Sequence, residues 1–175
     1  MNSELRWHVG SFRELSVDDL HAWLALRARV FVVEQVCAYQ DPDGLDPACV
    51  HVLGWHGAQL VAGARVLPPG LAHPIPAIGR VVTAPEWRRG GLGRAVFGRA
   101  LCVVHARWGP VRVHLGAQAY LSAFYRDFGF EVDGAAYVED GIPHVPMTGL
   151  ARAFGPVPLA VPRLPEGWGG AKRSA

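Results

Sequence analysis

Residues Glu86–Ala100, EWRRGGLGRAVFGRA, place four glycines and four arginines across the opening of what otherwise reads as an amphipathic helix. A glycine inside a helix costs about 1 kcal/mol relative to alanine, so helix stability does not select these residues. Upstream, AIGRVVTAP (residues 77–85) reads as a strand ending at Thr83 and a turn through Pro85. Downstream, Leu92, Val96, Ala100, Val103 and Val104 share one helical face until the stop at Trp108–Pro110. Strand, turn, glycines and helix start together present unpaired backbone N–H groups to an anion. Glycine lets the backbone approach a ligand closely, and the helix dipole with Arg88, Arg89 and Arg94 adds favourable charge. A phosphate fits that description, and a purely structural glycine turn is the alternative.

Working outward, LRWHVGSF (residues 5–12) alternates as a first strand, and Ser16 with Asp19 forms a capping-type start to a helix over residues 17–35. Leu20, Trp23, Leu24, Arg27, Val30 and Phe31 repeat at helical spacing in it. The segment from Cys37 to Ala48 holds Asp41, Asp43 and Asp46 with two prolines and a glycine, which predicts an exposed loop. Residues 50–55 and 60–67 read as a hairpin, and 111–118 as a fifth strand after the glycine-led helix. Leu121, Phe124, Tyr125 and Phe128 follow helical spacing up to Gly129, and residues 130–150 read as two closing strands around a turn.

The 175 residues, half of them hydrophobic, support one substantial core over residues 1–150. Residues 151–175, rich in proline and glycine without a sustained period, read as an extended or partly disordered tail. Seventeen basic residues against 15 acidic leave no broad electropositive face for nucleic acid. Three cysteines without paired spacing argue against a disulfide framework or a zinc site. With neither a leader nor an apolar run of roughly 20 residues, the expectation is a cytoplasmic protein without membrane association. The three aspartates superficially resemble a calcium loop, but no glutamate stands at the twelfth position, so no metal is expected.

The glycine stretch lacks the lysine of the nucleotide phosphate loop and the glycine arrangement of the dinucleotide fingerprint. Arg88, Gly91 and Gly93 instead fit Gln/Arg-x-x-Gly-x-Gly/Ala, and here the chain resembles the GNAT superfamily of N-acetyltransferases. VFVVEQ, YQDPDGLD, AQAYLSAFYRDFGF and EDGIPHVPM stand in the order that looks like its ElaA-like branch, over residues 5 to 150. The resemblance implies a mixed α/β fold, with a twisted, largely antiparallel sheet splayed in the middle and flanked by helices. It also implies acetyl-coenzyme A as cosubstrate, with Val81, Val82 and Thr83 on the pantetheine arm. Arg88, Arg89, Gly90, Gly91, Leu92, Gly93 and Arg94 would then hold the diphosphate.

Direct transfer to an amine needs a base, a stabilised oxyanion and a proton for the leaving thiolate, with no covalent enzyme intermediate. By resemblance Tyr125 takes the general-acid role; a core tyrosine beside Phe124 and Phe128 is the alternative. Glu34, charged at the end of an apolar run, is the first choice of base, against a carboxylate merely capped or paired with Arg27. His144 is the second choice, against a structural histidine on a strand. Tyr39, Asp41 and His51 are candidates for the acceptor pocket, where negative charge would favour a cation. The expected acceptor is a small-molecule amine or a lysine-type amino group. A non-catalytic coenzyme A-binding or interaction module and a nucleotide-phosphate binder remain the rival readings, and a homodimer is compatible with the sequence.

Overall fold

A computed structural model describes residues 5–152. The tail expected over residues 151–175 therefore lies outside the described residues, apart from Ala151 and Arg152. Eight strands form one sheet: β1 (Leu5–Ser11), β2 (Val50–His56), β3 (Gln59–Leu67), β4 (Ala77–Thr83), β5 (Arg112–Gln118), β6 (Glu131–Val132), β7 (Tyr137–Glu139) and β8 (Ile142–Leu150). Their order is β1-β2-β3-β4-β5-β8-β6, with β7 also paired to β8. Every pairing is antiparallel except β4 with β5. The closing segment thus holds three strands where two were expected, because the Asp133–Ala136 interval separates β6 from the β7–β8 hairpin.

Helix α1 (Val17–Arg27) begins where the sequence places it. Ser16 Oγ accepts the Asp19 N–H at 3.0 Å, and the Asp19 carboxylate accepts the Ser16 N–H, which satisfies two amides that a helix start leaves free. The α-helix does not run to residue 35 as expected: over Ala28–Glu34 it widens to π-type hydrogen bonding. Gln35 N–H reaches the Val30 carbonyl and Cys37 N–H the Val32 carbonyl, each five residues back. Hydrophobic periodicity is nearly the same for the two helix types, so the sequence does not reveal this change.

Helix α2 (Leu92–Trp108) packs Val96, Phe97, Ala100, Leu101 and Val104 on one face of the sheet, while α1 with Trp23 and Leu26, and the π-type turns after it with Val30, cover the other. The α1 contact explains Gly63: a Cβ there would lie 2.1 Å from the Trp23 ring, so any side chain would lift α1 off β3. Short α3 (Ser122–Arg126) adds Phe124 and Tyr125, which meet Phe97 at centroid separations of 6.0 and 5.0 Å. Among the described residues no helix is long and apolar enough to cross a membrane, and no disulfide joins Cys37, Cys49 and Cys102.

Candidate active site

The middle of the sheet is where pairing fails. Strands β4 and β5 run parallel but share one registered pair, Ala77 with His114, reinforced by His114 N–H on the Pro76 carbonyl at 2.9 Å. Beyond that pair the C-terminal part of β4 has a partner only in β3, so its other edge offers main-chain groups to an extended ligand. The β4 strand also carries a bulge. Gly63 pairs with Val82 and Arg65 with Gly79, which leaves two β4 residues opposite one on β3, and Arg80 there adopts φ +52°. An extra residue bends a strand and re-aims the positions beyond it, here Val81, Val82 and Thr83.

The chain leaves this open edge through Pro85 and enters α2 at Gly91, whose φ of +81° suits glycine at a helix N-cap. No side chain caps this helix, and its first backbone bond runs from Ala95 N–H to the Gly91 carbonyl. The N–H groups of Leu92, Gly93 and Arg94 have no acceptor in the described structure. Gly90 and Gly91 each face open space, and a Cβ on Gly93 would come no nearer than 3.9 Å to the Phe124 ring. Internal packing therefore does not demand the absence of a side chain at Gly90 or Gly93. A three-amide, positively polarised helix start beside an unpaired strand edge suits a diphosphate followed by an extended arm.

The arginines of this loop differ in availability. Arg88 grips Glu34 through two bonds of 2.6 and 2.8 Å, and Arg94 pairs with Asp127 while lying over the Phe124 and Phe128 rings. Arg89, at φ +68°, is exposed and has no partner among the described residues. Glu34 therefore pairs with Arg88, not with Arg27, and it lies outside the cleft lining. Both Glu34 oxygens are engaged by that guanidinium away from the cleft, which counts against the first choice of base.

A cleft of about 490 Å³ opens over the parted strands. Val81, Gly116 and Gln118 contribute from the two strands, Tyr39 from the loop after α1, and Tyr125, Tyr137 and His144 from the C-terminal half. Tyr125 is 7% exposed, and burial raises its phenol well above the usual value near 10. His144 Nδ1 lies 2.8 Å from the Ile142 carbonyl, so that nitrogen carries the proton. Its Nε2, the basic nitrogen in that tautomer, has no partner among the described residues. Tyr39 donates to Asp41 Oδ1 at 3.1 Å, and burial pushes its phenol up to about 12.

The acceptor-pocket assignments of Asp41 and His51 need correction. Far from being an exposed loop, the acidic segment buries Asp41 and Asp46, at 3% and 5% exposed, against three arginines. Arg27 bonds Asp41 and Asp46 at 2.8 Å each, Arg65 clasps Asp43 at 2.7 Å twice, and Arg80 Nε meets Asp41 at 2.8 Å. Three carboxylates against three guanidiniums cancel, so Asp41 brings no net field to a cationic acceptor. His51 is fully buried on β2 and does not line the cleft. Its Nδ1 accepts from the Trp23 indole at 3.0 Å and its Nε2–H meets the Asp46 carbonyl at 3.1 Å. Burial lowers its pKa to about 4 and keeps it neutral.

Arg80, Tyr137 and the Gln35–Gln118 amide pair escaped the sequence reading. The two amides exchange bonds of 3.2 and 3.1 Å and tie the end of the π-type turn to β5. The available signal was weak: Tyr137 and Glu139 alternate on a short strand ahead of the Asp140–Gly141 turn, and Arg80 is a lone charge inside an apolar strand. A bulge cannot be read from one strand's residues, because it is a property of the pair.

A family model for the acetyltransferase (GNAT) domain matches residues 51–150. Protein ElaA of Escherichia coli strain K12 is 42% identical over 150 residues, spanning 85% of this chain and 96% of that protein. Among solved structures, an acyl-CoA N-acyltransferase from Pseudomonas aeruginosa superposes with a TM-score of 0.80 at 40% identity. Escherichia coli ElaA does so with 0.79 at 40%, each alignment covering 83% of this chain and 99% of the other.

Proposed function

The chain belongs to the GNAT superfamily of acyl-CoA-dependent acyltransferases, in its ElaA-like branch, and from that premise we propose that it is an acetyl-coenzyme A-dependent N-acetyltransferase acting on a primary amine. The acceptor is a small-molecule amine or a lysine-type amino group, attacking directly while both substrates are bound. The observation that carries this reading is the end of β4–β5 pairing after Ala77 and His114, next to a helix start with three unpaired amides. Three buried cysteines without a disulfide are in keeping with a reducing compartment, and we assign the reaction to the cytoplasm.

In this mechanism the N–H groups of Leu92, Gly93 and Arg94, with Arg89, hold the diphosphate, and the open β4 edge at Val81–Thr83 orients the pantetheine arm. The thioester carbonyl then lies in the cleft between β4 and β5. His144 Nε2 takes a proton from the substrate ammonium, and the amine nitrogen so freed forms its bond to the carbonyl carbon. The C–S bond breaks, the thiolate takes the Tyr125 phenolic proton, and Tyr125 regains one from the acylated nitrogen as that becomes a neutral amide. Burial raises the Tyr125 pKa, so the phenol enters the reaction in its protonated form. His144 returns its proton to solvent. No cysteine is needed, since the attack on carbon is made by the acceptor itself.

The test is a calorimetric titration with acetyl-coenzyme A, with ATP as comparator, followed by thiol release across a panel of primary amines. Saturable binding that ATP does not match, together with amine-dependent thiol release, is the expected outcome. Tyr125→Phe should lower kcat by about 10²–10⁴-fold while retaining coenzyme affinity. Binding without turnover across the whole panel would instead favour a non-catalytic coenzyme A module.

A further inference from the structure

Tyr137 is a cleft residue that the mechanism above leaves without a task. It sits on β7 directly opposite His144 of β8, and the two rings stack with centroids 5.6 Å apart and planes inclined by 23°. Its hydroxyl reaches across to β5, where a Cβ on Gly116 would lie 2.3 Å from the phenolic oxygen. Gly116 has no positive φ to explain it, and its own neighbour across the ladder is Pro146. The space above Gly116 is therefore filled by the tip of Tyr137, and a larger residue there would displace that tip.

The imidazole of His144 is consequently fixed from two sides. The Ile142 carbonyl holds Nδ1–H at 2.8 Å and sets the tautomer, while the Tyr137 ring closes one face. The hydrogen bond anchors Nδ1 but still lets the ring tilt about that contact, and a stacked neighbour restricts the tilt. We propose that Tyr137 is a positioning residue for the base, holding the His144 imidazole so that Nε2 is left to the acceptor amine, and that Gly116 is the residue that admits it. This inference rests on acyl transfer with His144 as the base. The ring, not the hydroxyl, does the positioning.

The test compares Tyr137→Phe, Tyr137→Ala and Gly116→Ala with His144→Ala and the double variant Tyr137→Ala/His144→Ala, at saturating acetyl-coenzyme A with the best amine of the panel. Tyr137→Phe should keep kcat within about threefold, whereas Tyr137→Ala and Gly116→Ala should lose at least about tenfold with coenzyme affinity unchanged. Because Tyr137 acts through His144, its removal should cost nothing further once His144 is alanine. Additive losses in the double variant, or a Tyr137→Ala enzyme with unaltered kcat, would overturn the inference. Full turnover by His144→Ala would instead overturn the assignment of the base. A readout independent of turnover is the NMR spectrum of the His144 ring. One sharp set of signals is expected in the unaltered protein and in Tyr137→Phe, with averaged or broadened signals in Tyr137→Ala; identical ring signals in all three would refute positioning.

Discussion

Gly93→Val separates ligand binding from fold stability at one position. Gly93 is the second residue of α2, and its added Cβ would meet only the Phe124 ring at 3.9 and 4.0 Å, an ordinary contact. Valine is a better helix former than glycine by roughly 0.3–0.5 kcal/mol, so folding stability should stay within about 1 kcal/mol of the parent. Binding should respond quite differently. The Gly93 amide and its neighbours at Leu92 and Arg94 lack acceptors, and a hydrogen bond to a charged partner is worth about 1.5–3 kcal/mol. Two branched methyls beside the Gly93 amide would hold a diphosphate oxygen away from one or two of these donors. The loss of about 2–4 kcal/mol corresponds to a Kd raised roughly 30- to 1,000-fold. Gly93→Ala is the graded control, with one methyl and a residue that the family signature accepts, and should change Kd only a few-fold. Calorimetry with acetyl-coenzyme A gives the affinities, and urea unfolding of the same samples gives the stabilities. A Gly93→Val protein of normal stability that binds within threefold of the parent would refute the idea that these amides grip the ligand.

Two further outcomes concern the scaffold. Arg27→Met leaves Asp41 and Asp46 without their shared guanidinium inside the fold, and breaking a buried charge network in this way costs about 3–5 kcal/mol. Thermal unfolding should therefore fall by roughly 10 °C, and a shift of a degree or two would contradict the burial described for this loop. The second outcome is a pH effect. His51 is held at about 4, below its unfolded value near 6.5, so between those limits the unfolded chain binds more protons and stability rises with pH. Unfolding free energy should thus decline by up to about 3 kcal/mol as pH falls from 6.5 towards 4. Half-buried His114, stacked on His73 and also lowered, adds to the decline in the same sense. The lowered carboxyls of Asp43 and Asp46 contribute below pH 4. A flat urea-unfolding profile over pH 4–6.5 would contradict a neutral, buried His51.

Much of the scaffold was legible because each signal was local. Ser16 and Asp19 mark a helix start, Gly57 with φ +59° closes the β2–β3 hairpin, and the alternation of residues 111–118 marks β5. The glycine-led start of α2 was legible for the same reason, since glycine at a helix N-cap is a property of adjacent residues. The acceptor side was not. Whether Asp41 faces a ligand or Arg27 depends on pairs 14 residues apart, and Glu34 and Arg88 lie 54 apart. His51 had the residue type of a site and the environment of a core, and only its contacts with Trp23 and Asp46 distinguish the two. The change to π-type turns over Ala28–Glu34 likewise leaves no mark in hydrophobic spacing.

Amide chemical-shift mapping with coenzyme A tests the central claim most directly, because the account names the very N–H groups that change partner. The N–H signals of Leu92, Gly93 and Arg94 should move most, followed by those of Val81–Thr83 along the open edge of β4. Large shifts confined to other parts of the sheet, or a spectrum that coenzyme A leaves unaltered, would contradict it.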